Sequence, residues 1–130
     1  MTSAILYACG VINAAFLAFH VLLGLSIQRL TALTAGQRAL LQAFNTGGAV
    51  MIAFLAVAFL ACQADLRTRL GRATILLGAA TYLVRALDEF IFFPRVGWAI
   101  VTLCTLAGLL HLAALAAARR PGALLSPGHA

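Results

Sequence analysis

Three charged residues lie close together in a stretch of the chain that is otherwise apolar. Arg85, Asp88 and Glu89 fall within five positions of the segment from Thr74 to Phe93. A carboxyl group in this segment could take up and release a proton, and the positive charge of the arginine could neutralise a carboxylate. An Arg or Asp at the centre of a membrane-spanning helix costs roughly 2.5 to 3.5 kcal/mol on insertion scales, and such residues usually mark a functional path. These three residues are therefore the first candidates for chemistry.

Two further polar residues belong to other apolar segments, and depth estimates place them near the same level. At about 1.5 Å per helical residue, His20 lies about 10 Å and Asn45 about 8 Å from the outer end of its helix. The same count puts Arg85 at about 12 Å and the two acids at about 6 to 8 Å. If consecutive helices are antiparallel, these residues form one polar layer in the outer half of the membrane. The predicted ligand-binding residues are His20, Asn45, Arg85, Asp88 and Glu89.

Three functions fit such a polar layer. If all three groups are ionised, one arginine cannot balance the charge of two carboxylates. The unbalanced negative charge favours a layer that relays protons or that binds the polar head of a quinone or lipid. Glu89, Asp88 and His20 are then the candidate catalytic residues. Alternatively, Arg85 and Glu89, spaced i, i+4, only neutralise each other. The other polar groups would then hold helices together, at about 0.6 kcal/mol per contact, or serve assembly with a partner chain.

The histidines raise the question of a haem or a metal. Asn13 and His111 lie deeper than the first layer, roughly 21 to 23 Å from the outer end. His20 and His111 therefore differ in depth by about 12 Å, whereas one iron needs both ligands at one level. We expect no haem with two histidine ligands. A metal held by His20 and an acid is disfavoured because Arg85 competes for the carboxylates, so the sequence predicts no metal site and identifies no cofactor.

The composition is that of a membrane protein. Of 130 residues, 64% are hydrophobic and 9% are charged, and the mean hydropathy is +1.05. A soluble domain is nearer 45 to 50% apolar and about 25% charged. The net charge of +6 comes from arginines scattered between apolar runs, without a basic face that could follow a phosphate backbone. We expect membrane lipids as partners and no nucleic acid; a homo-oligomer or a larger membrane complex stays open.

Four apolar runs are long enough to cross a bilayer, which takes about 20 helical residues for roughly 30 Å of hydrocarbon. Lipid offers no partner to backbone polar groups, so such runs are helices. Short connections predict antiparallel neighbours. The predicted fold is all-α, an antiparallel up-down bundle of four transmembrane helices forming one domain over residues 1–120, with a disordered tail at 121–130. The predicted helices cover about 4–27, 35–63, 71–93 and 96–118.

Local signals support these helix ends and suggest an orientation. Thr34 and Gln37 fit a capping box at the start of the second helix, and Pro94 disfavours helical geometry at Phe93. Arginines concentrate on the cytoplasmic side of membrane proteins. Five arginines on the side of the termini against three on the other side predict that both termini are cytoplasmic. The five are Arg67, Arg69, Arg72, Arg119 and Arg120, and the three are Arg29, Arg38 and Arg95.

The chain resembles an uncharacterised group of small bacterial four-span membrane proteins over nearly its whole length. Three motifs carry the resemblance: F-H at 19–20, F-N at 44–45 and R-A-L-D-E-F-I-F-F at 85–93. In that group the third helix ends in R-A-x-[DE]-[EQ]-F-I-F-F. The resemblance implies fold and membrane location only, and it draws attention to His20, Asn45, Arg85 and Glu89.

Together these patterns predict a small protein of a bacterial inner membrane. Its outer polar layer would bind a lipid, a quinone or another amphipathic molecule, and the protein would act as an accessory protein rather than as an enzyme. The enzyme alternative is an intramembrane acid–base catalyst acting on a lipid-soluble substrate. The structural alternative is a subunit of a larger membrane complex.

Overall fold

The computed structural model describes residues 2–119 and places four α-helices and no strand within them. Each of these helices is long and apolar enough to cross a membrane. The predicted all-α fold with four candidate transmembrane helices is therefore confirmed, and the chain is a small membrane protein. The elements are α1 (Thr2–Arg29), α2 (Ala35–Ala61), a short 3-10 turn (Asp65–Arg67), α3 (Arg69–Ile91) and α4 (Trp98–Arg119).

Two threonines set the starts of α2 and α3. The Thr34 hydroxyl accepts the Gln37 N–H at 3.2 Å, and the Gln37 side-chain oxygen accepts the Thr34 N–H at 3.0 Å. This confirms the predicted capping box. Thr68 performs the same role for α3, because its hydroxyl accepts the Gly71 N–H at 3.0 Å. An N-cap of this kind satisfies one of the first N–H groups that have no partner within the helix.

The described residues divide into two compact units, one from Leu6 to Gln63 and the other made of residues 2–5 and 64–119. The first unit contains most of α1 and all of α2. The second contains the 3-10 turn, α3 and α4. The arrangement of all four helices as one up-down bundle stays a prediction. The predicted tail at 121–130 lies outside the described residues.

Within the first unit, α1 and α2 form an antiparallel hairpin. The amide nitrogen of Asn45, near the start of α2, donates to the backbone oxygen of His20, near the end of α1, at 3.0 Å. At the other end of the hairpin, Gly10 of α1 lies against Leu60 of α2. Late residues of one helix therefore face early residues of the other.

Arg38 closes the connection between these two helices. Its Nη2 atom donates to the backbone oxygens of Leu30 at 3.0 Å and Leu33 at 3.3 Å. α1 ends at Arg29, so both carbonyls belong to the connection and the guanidinium lies just beyond the end of that helix. A cation is favoured at this negative end of a helix.

Within the second unit, two glycines allow α3 and α4 to approach closely. A methyl group on Gly78 of α3 would lie 2.6 Å from Cδ2 of His111, and one on Gly108 of α4 would lie 2.7 Å from Cγ of Leu83. Such distances leave no room for a side chain at either position. The contacts also make this pair antiparallel, because the later α3 residue, Leu83, meets the earlier α4 residue, Gly108.

Large apolar side chains cover the outside of all four helices. Phe44 is 72% exposed, Trp98 is 67% exposed and Val84 is 56% exposed. Soluble proteins rarely expose apolar surface on this scale. An exterior of this kind is stable in lipid, which agrees with the membrane-spanning length of the helices.

Candidate ligand-binding site

His20 and Asn45, predicted to share a polar layer, are hydrogen-bonded to each other in the α1–α2 hairpin. Nδ1 of His20 lies 2.9 Å from Oδ1 of Asn45. The amide nitrogen of Asn45 donates to the backbone oxygen of His20, which can only accept, and this fixes which end of the amide faces the imidazole. Because Oδ1 can only accept, Nδ1 must carry the hydrogen. In the neutral imidazole, Nε2 is then a hydrogen-bond acceptor, and among residues 2–119 it has no hydrogen-bond partner.

A second amide repeats this arrangement one helical turn away. Nε2 of Gln42 donates to the backbone oxygen of Gly24 at 2.7 Å. Gly24 makes the close approach possible, since a methyl group there would lie 3.0 Å from the amide nitrogen of Asn45. Gly48 does the same for the imidazole, because a methyl group on Gly48 would lie 3.0 Å from Cε1 of His20. Together, two amides of α2 and two backbone oxygens of α1 set the register of the hairpin.

A groove between α1 and α2 opens beside these hydrogen bonds, and we refer to it as the α1–α2 groove. Its volume is about 450 Å³. The polar lining residues concentrate towards the α1–α2 connection, and the opposite end is aliphatic. On the helical rise the lining extends over about 16 Å. The lining residues are Leu17, His20, Val21, Gly24, Leu25, Gln28, Gln42, Asn45, Thr46, Ala49, Val50 and Ala53.

The second unit contains the predicted charged residues, and two of them form an ion pair. Nη2 of Arg85 lies 2.6 Å from Oε1 of Glu89, whose side chain is only 3% exposed. The other Glu89 oxygen accepts the N–H of Gly97 at 2.9 Å. Gly97 directly precedes α4 and its own carbonyl accepts the N–H of Val101 at 3.0 Å. The Glu89 carboxylate therefore lies at the positive end of α4, and the Arg85 guanidinium carbon lies 5.3 Å from the ring centre of Phe93.

Asp88 behaves differently from its neighbour. Within residues 2–119 its carboxylate makes no hydrogen bond or ion pair, and its backbone oxygen accepts the N–H of Phe92 at 2.9 Å. The three predicted charges are thus one ion pair and one separate carboxylate. The predicted i, i+4 neutralisation of Arg85 by Glu89 is present.

The two deeper polar residues bond to their own helices. Asn13 is fully buried and its amide nitrogen donates to the Cys9 oxygen at 2.7 Å. His111 is also fully buried, and its Nδ1 lies 2.8 Å from the Ala107 oxygen. The His111 ring centre is 5.4 Å from that of Tyr82. These contacts give both residues a structural role.

The predicted site residues are divided between the two units, and their role in ligand binding stays a prediction. His20 and Asn45 belong to one unit, and Arg85, Asp88 and Glu89 belong to the other, so one layer of all five stays a prediction. The role of the Gly97 N–H was missed. A glycine directly before an apolar helical run is a weak N-cap signal and could have drawn attention to it. Among the described residues, no group of three or more His, Cys, Asp or Glu side chains could hold a metal ion.

The fold and the groove define the class of this chain: a small membrane protein with four helices in residues 2–119 and a groove that is polar at one end. No model of a known protein family, no curated protein and no solved structure matches the chain. The resemblance carried by the third-helix motif therefore stays a prediction, and the groove is the feature that bears on function.

Proposed function

We propose that this protein binds an amphipathic, lipid-soluble molecule in the α1–α2 groove and acts as an accessory protein of a bacterial inner membrane. The observation that carries the proposal is the free Nε2 of His20 beside a groove with aliphatic walls. The groove has a volume of about 450 Å³ and is largely open on one side, so a ligand bound there would keep contact with the surrounding lipid.

The polarity of the groove matches the polarity of such a ligand. Gln28 and Gln42 line the end near the α1–α2 connection, whereas Leu17 and Ala53 line the opposite end. The end of α1 lies near the membrane surface if the helix crosses the bilayer. A lipid or quinone would then place its head near the surface and its tail towards the bilayer centre.

The contacts of Glu89 favour a structural role for this residue over acid–base catalysis. Both carboxylate oxygens of Glu89 already accept hydrogen bonds, one from Arg85 and one from Gly97. A general base must accept a proton from its substrate, and two donors already compete for the Glu89 oxygens. Glu89 is better suited to holding the end of α3 against the start of α4.

A bulky side chain in the groove tests the proposal. Ala49 lines the groove, whereas Ala43, on the same helix, is exposed and does not line it. The wild type, Ala49→Trp and Ala43→Trp proteins are purified from membranes in mild detergent and examined by native mass spectrometry. We expect lipid-soluble molecules to co-purify with the wild type and with Ala43→Trp, and to be lost from Ala49→Trp. Equal retention by both variants would contradict the proposal.

A further inference from the structure

The tautomer of His20 restricts the chemistry of the ligand, an inference that rests on the proposed binding function. Asn45 holds Nδ1–H as a donor, which leaves Nε2 as an acceptor in the neutral ring. We propose that the α1–α2 groove selects uncharged amphiphiles that carry a hydroxyl group and donate it to Nε2 of His20. Carbonyls, ethers and anionic oxygens only accept hydrogen bonds, so they would face an acceptor with another acceptor.

The imidazole is held in place on three sides, so the direction of this acceptor is set before a ligand binds. Asn45 bonds Nδ1 at 2.9 Å. A methyl group on Gly48 would lie 3.0 Å from Cε1, so the α2 backbone passes close to the ring. The ring of Phe19 meets the imidazole edge to face, with ring centres 5.9 Å apart. Preorganisation of this kind favours ligands that match the fixed partner.

The groove lining supports an uncharged head. None of the residues that line it is Asp, Glu, Lys or Arg. An anionic head would enter a low-dielectric groove without a counter-charge, which is costly. The matching chemistry is found both in phenols, such as a hydroquinone head, and in alcohols, such as a glycerolipid with a free hydroxyl.

Matched ligand pairs isolate the contribution of the hydroxyl group to the affinity, because the two members of a pair differ only in whether the oxygen carries a hydrogen or a methyl group. The phenol pair is para-dodecylphenol and para-dodecylanisole, and the alcohol pair is dodecanol and dodecyl methyl ether. The affinity of each is measured with the purified full-length protein in nanodiscs. A neutral hydrogen bond makes the hydroxyl member bind about two- to tenfold tighter. The pair with the larger ratio identifies which kind of hydroxyl the groove takes.

His20→Phe keeps an aromatic ring in the hairpin and removes the acceptor. We expect this variant to bind both members of a pair equally, whatever its affinity for the ether. Equal binding of both members to the wild type would overturn the hydroxyl inference and leave the proposed function standing. Absence of binding for all four compounds would overturn the proposed function itself. A ratio that persists in His20→Phe would also overturn the inference.

The tautomer can be observed without any variant that perturbs folding. Heteronuclear NMR of protein with isotope-labelled histidine distinguishes a protonated ring nitrogen from an unprotonated one. We expect Nδ1 of His20 to be protonated and Nε2 to be unprotonated in the neutral ring, and Nε2 to shift when para-dodecylphenol binds. A neutral ring with the proton on Nε2 would overturn the inference.

Discussion

At the scale of single residues, the amides of Gln42 and Asn45 show how a membrane hairpin satisfies polar side chains. Water is absent from the hydrocarbon, so each amide donates to a backbone oxygen of α1, at 2.7 Å and 3.0 Å. Interhelical hydrogen bonds in membranes average about 0.6 kcal/mol. Their contribution to stability is therefore modest, and their larger effect is on the register of α1 against α2 and on the orientation of His20.

Neighbouring glycines of α2 provide a test of that orientation. A methyl group on Gly48 would lie 3.0 Å from Cε1 of His20, whereas one on Gly47 would meet nothing within 4 Å. Gly→Ala in a helix gains up to about 1 kcal/mol from helix propensity alone. We expect Gly47→Ala to be more stable than the wild type. Gly48→Ala should be about 0.6 kcal/mol less stable than Gly47→Ala, because its methyl group weakens the His20–Asn45 hydrogen bond.

Two measurements check this pair of variants. Unfolding in mixed micelles gives the difference in stability, and the phenol pair gives the preference for a hydroxyl. We expect Gly47→Ala to keep the wild-type preference and Gly48→Ala to reduce it. Identical behaviour of the two variants in both measurements would show that the position of the imidazole does not matter.

Residue types and spacing were enough to predict part of the site. His20, Asn45 and the Arg85–Glu89 spacing stand out because polar groups are rare in apolar runs. Gly97 could not be predicted in the same way, because its contribution is a backbone N–H, and every residue except proline has one. The tautomer of His20 also could not be predicted from the sequence, because it depends on which end of the Asn45 amide faces the ring.

At the scale of elements, α3 and α4 are joined by a carboxylate as well as by packing. Glu89, near the end of α3, accepts the N–H of Gly97 at the start of α4 and pairs with Arg85 one turn back. A negative charge at the first turn of a helix is favourable. The contact therefore connects the two helices across the turn that Pro94 introduces.

Neutral variants of Asp88 and Glu89 show whether each carboxylate stabilises the contact between α3 and α4 or takes part in ligand binding. Glu89→Gln leaves Arg85 without its ionic partner and weakens the contact with Gly97, so we expect a lower thermal midpoint than in the wild type. Asp88→Asn removes a carboxylate that has no partner among the described residues, and we expect little change. The thermal midpoint of each purified protein in detergent is measured by intrinsic fluorescence.

Binding by the same two proteins provides the control. Since neither acid lines the α1–α2 groove, both variants should bind para-dodecylphenol with wild-type affinity at a temperature where they are folded. A loss of affinity in Glu89→Gln without a loss of stability would instead assign Glu89 to the ligand, as the predicted polar layer of five residues requires.

At the scale of the whole molecule, length and hydropathy were sufficient to predict four helices. A run of about 20 apolar residues in lipid can satisfy its backbone hydrogen bonds within the run only by forming a helix. The arrangement of these helices does not follow in the same way, because lipid-facing and helix-facing surfaces are both apolar. Only sparse polar contacts and small residues distinguish the two kinds of surface, and in this chain they define each hairpin separately.

The orientation of the molecule rests on its arginines. Both termini and the connection between α2 and α3 are predicted to be cytoplasmic, with five arginines on that side against three on the other. The chain carries its own reporter of this orientation. Cys62 lies exposed at the end of α2, whereas Cys9 and Cys104 are buried.

Labelling of cysteines in spheroplasts tests the predicted orientation. A membrane-impermeant maleimide should leave Cys62 unmodified in intact spheroplasts and modify it once the membrane is permeabilised, because Cys62 then lies on the cytoplasmic side. Thr31 is exposed in the connection between α1 and α2, so Thr31→Cys in a Cys62→Ser background should react without permeabilisation. The opposite pattern would reverse the orientation and would place the polar end of the α1–α2 groove on the cytoplasmic side. Equal labelling of both positions in intact spheroplasts would indicate that the protein inserts in both orientations. The five-to-three arginine ratio would then be too small to fix one orientation.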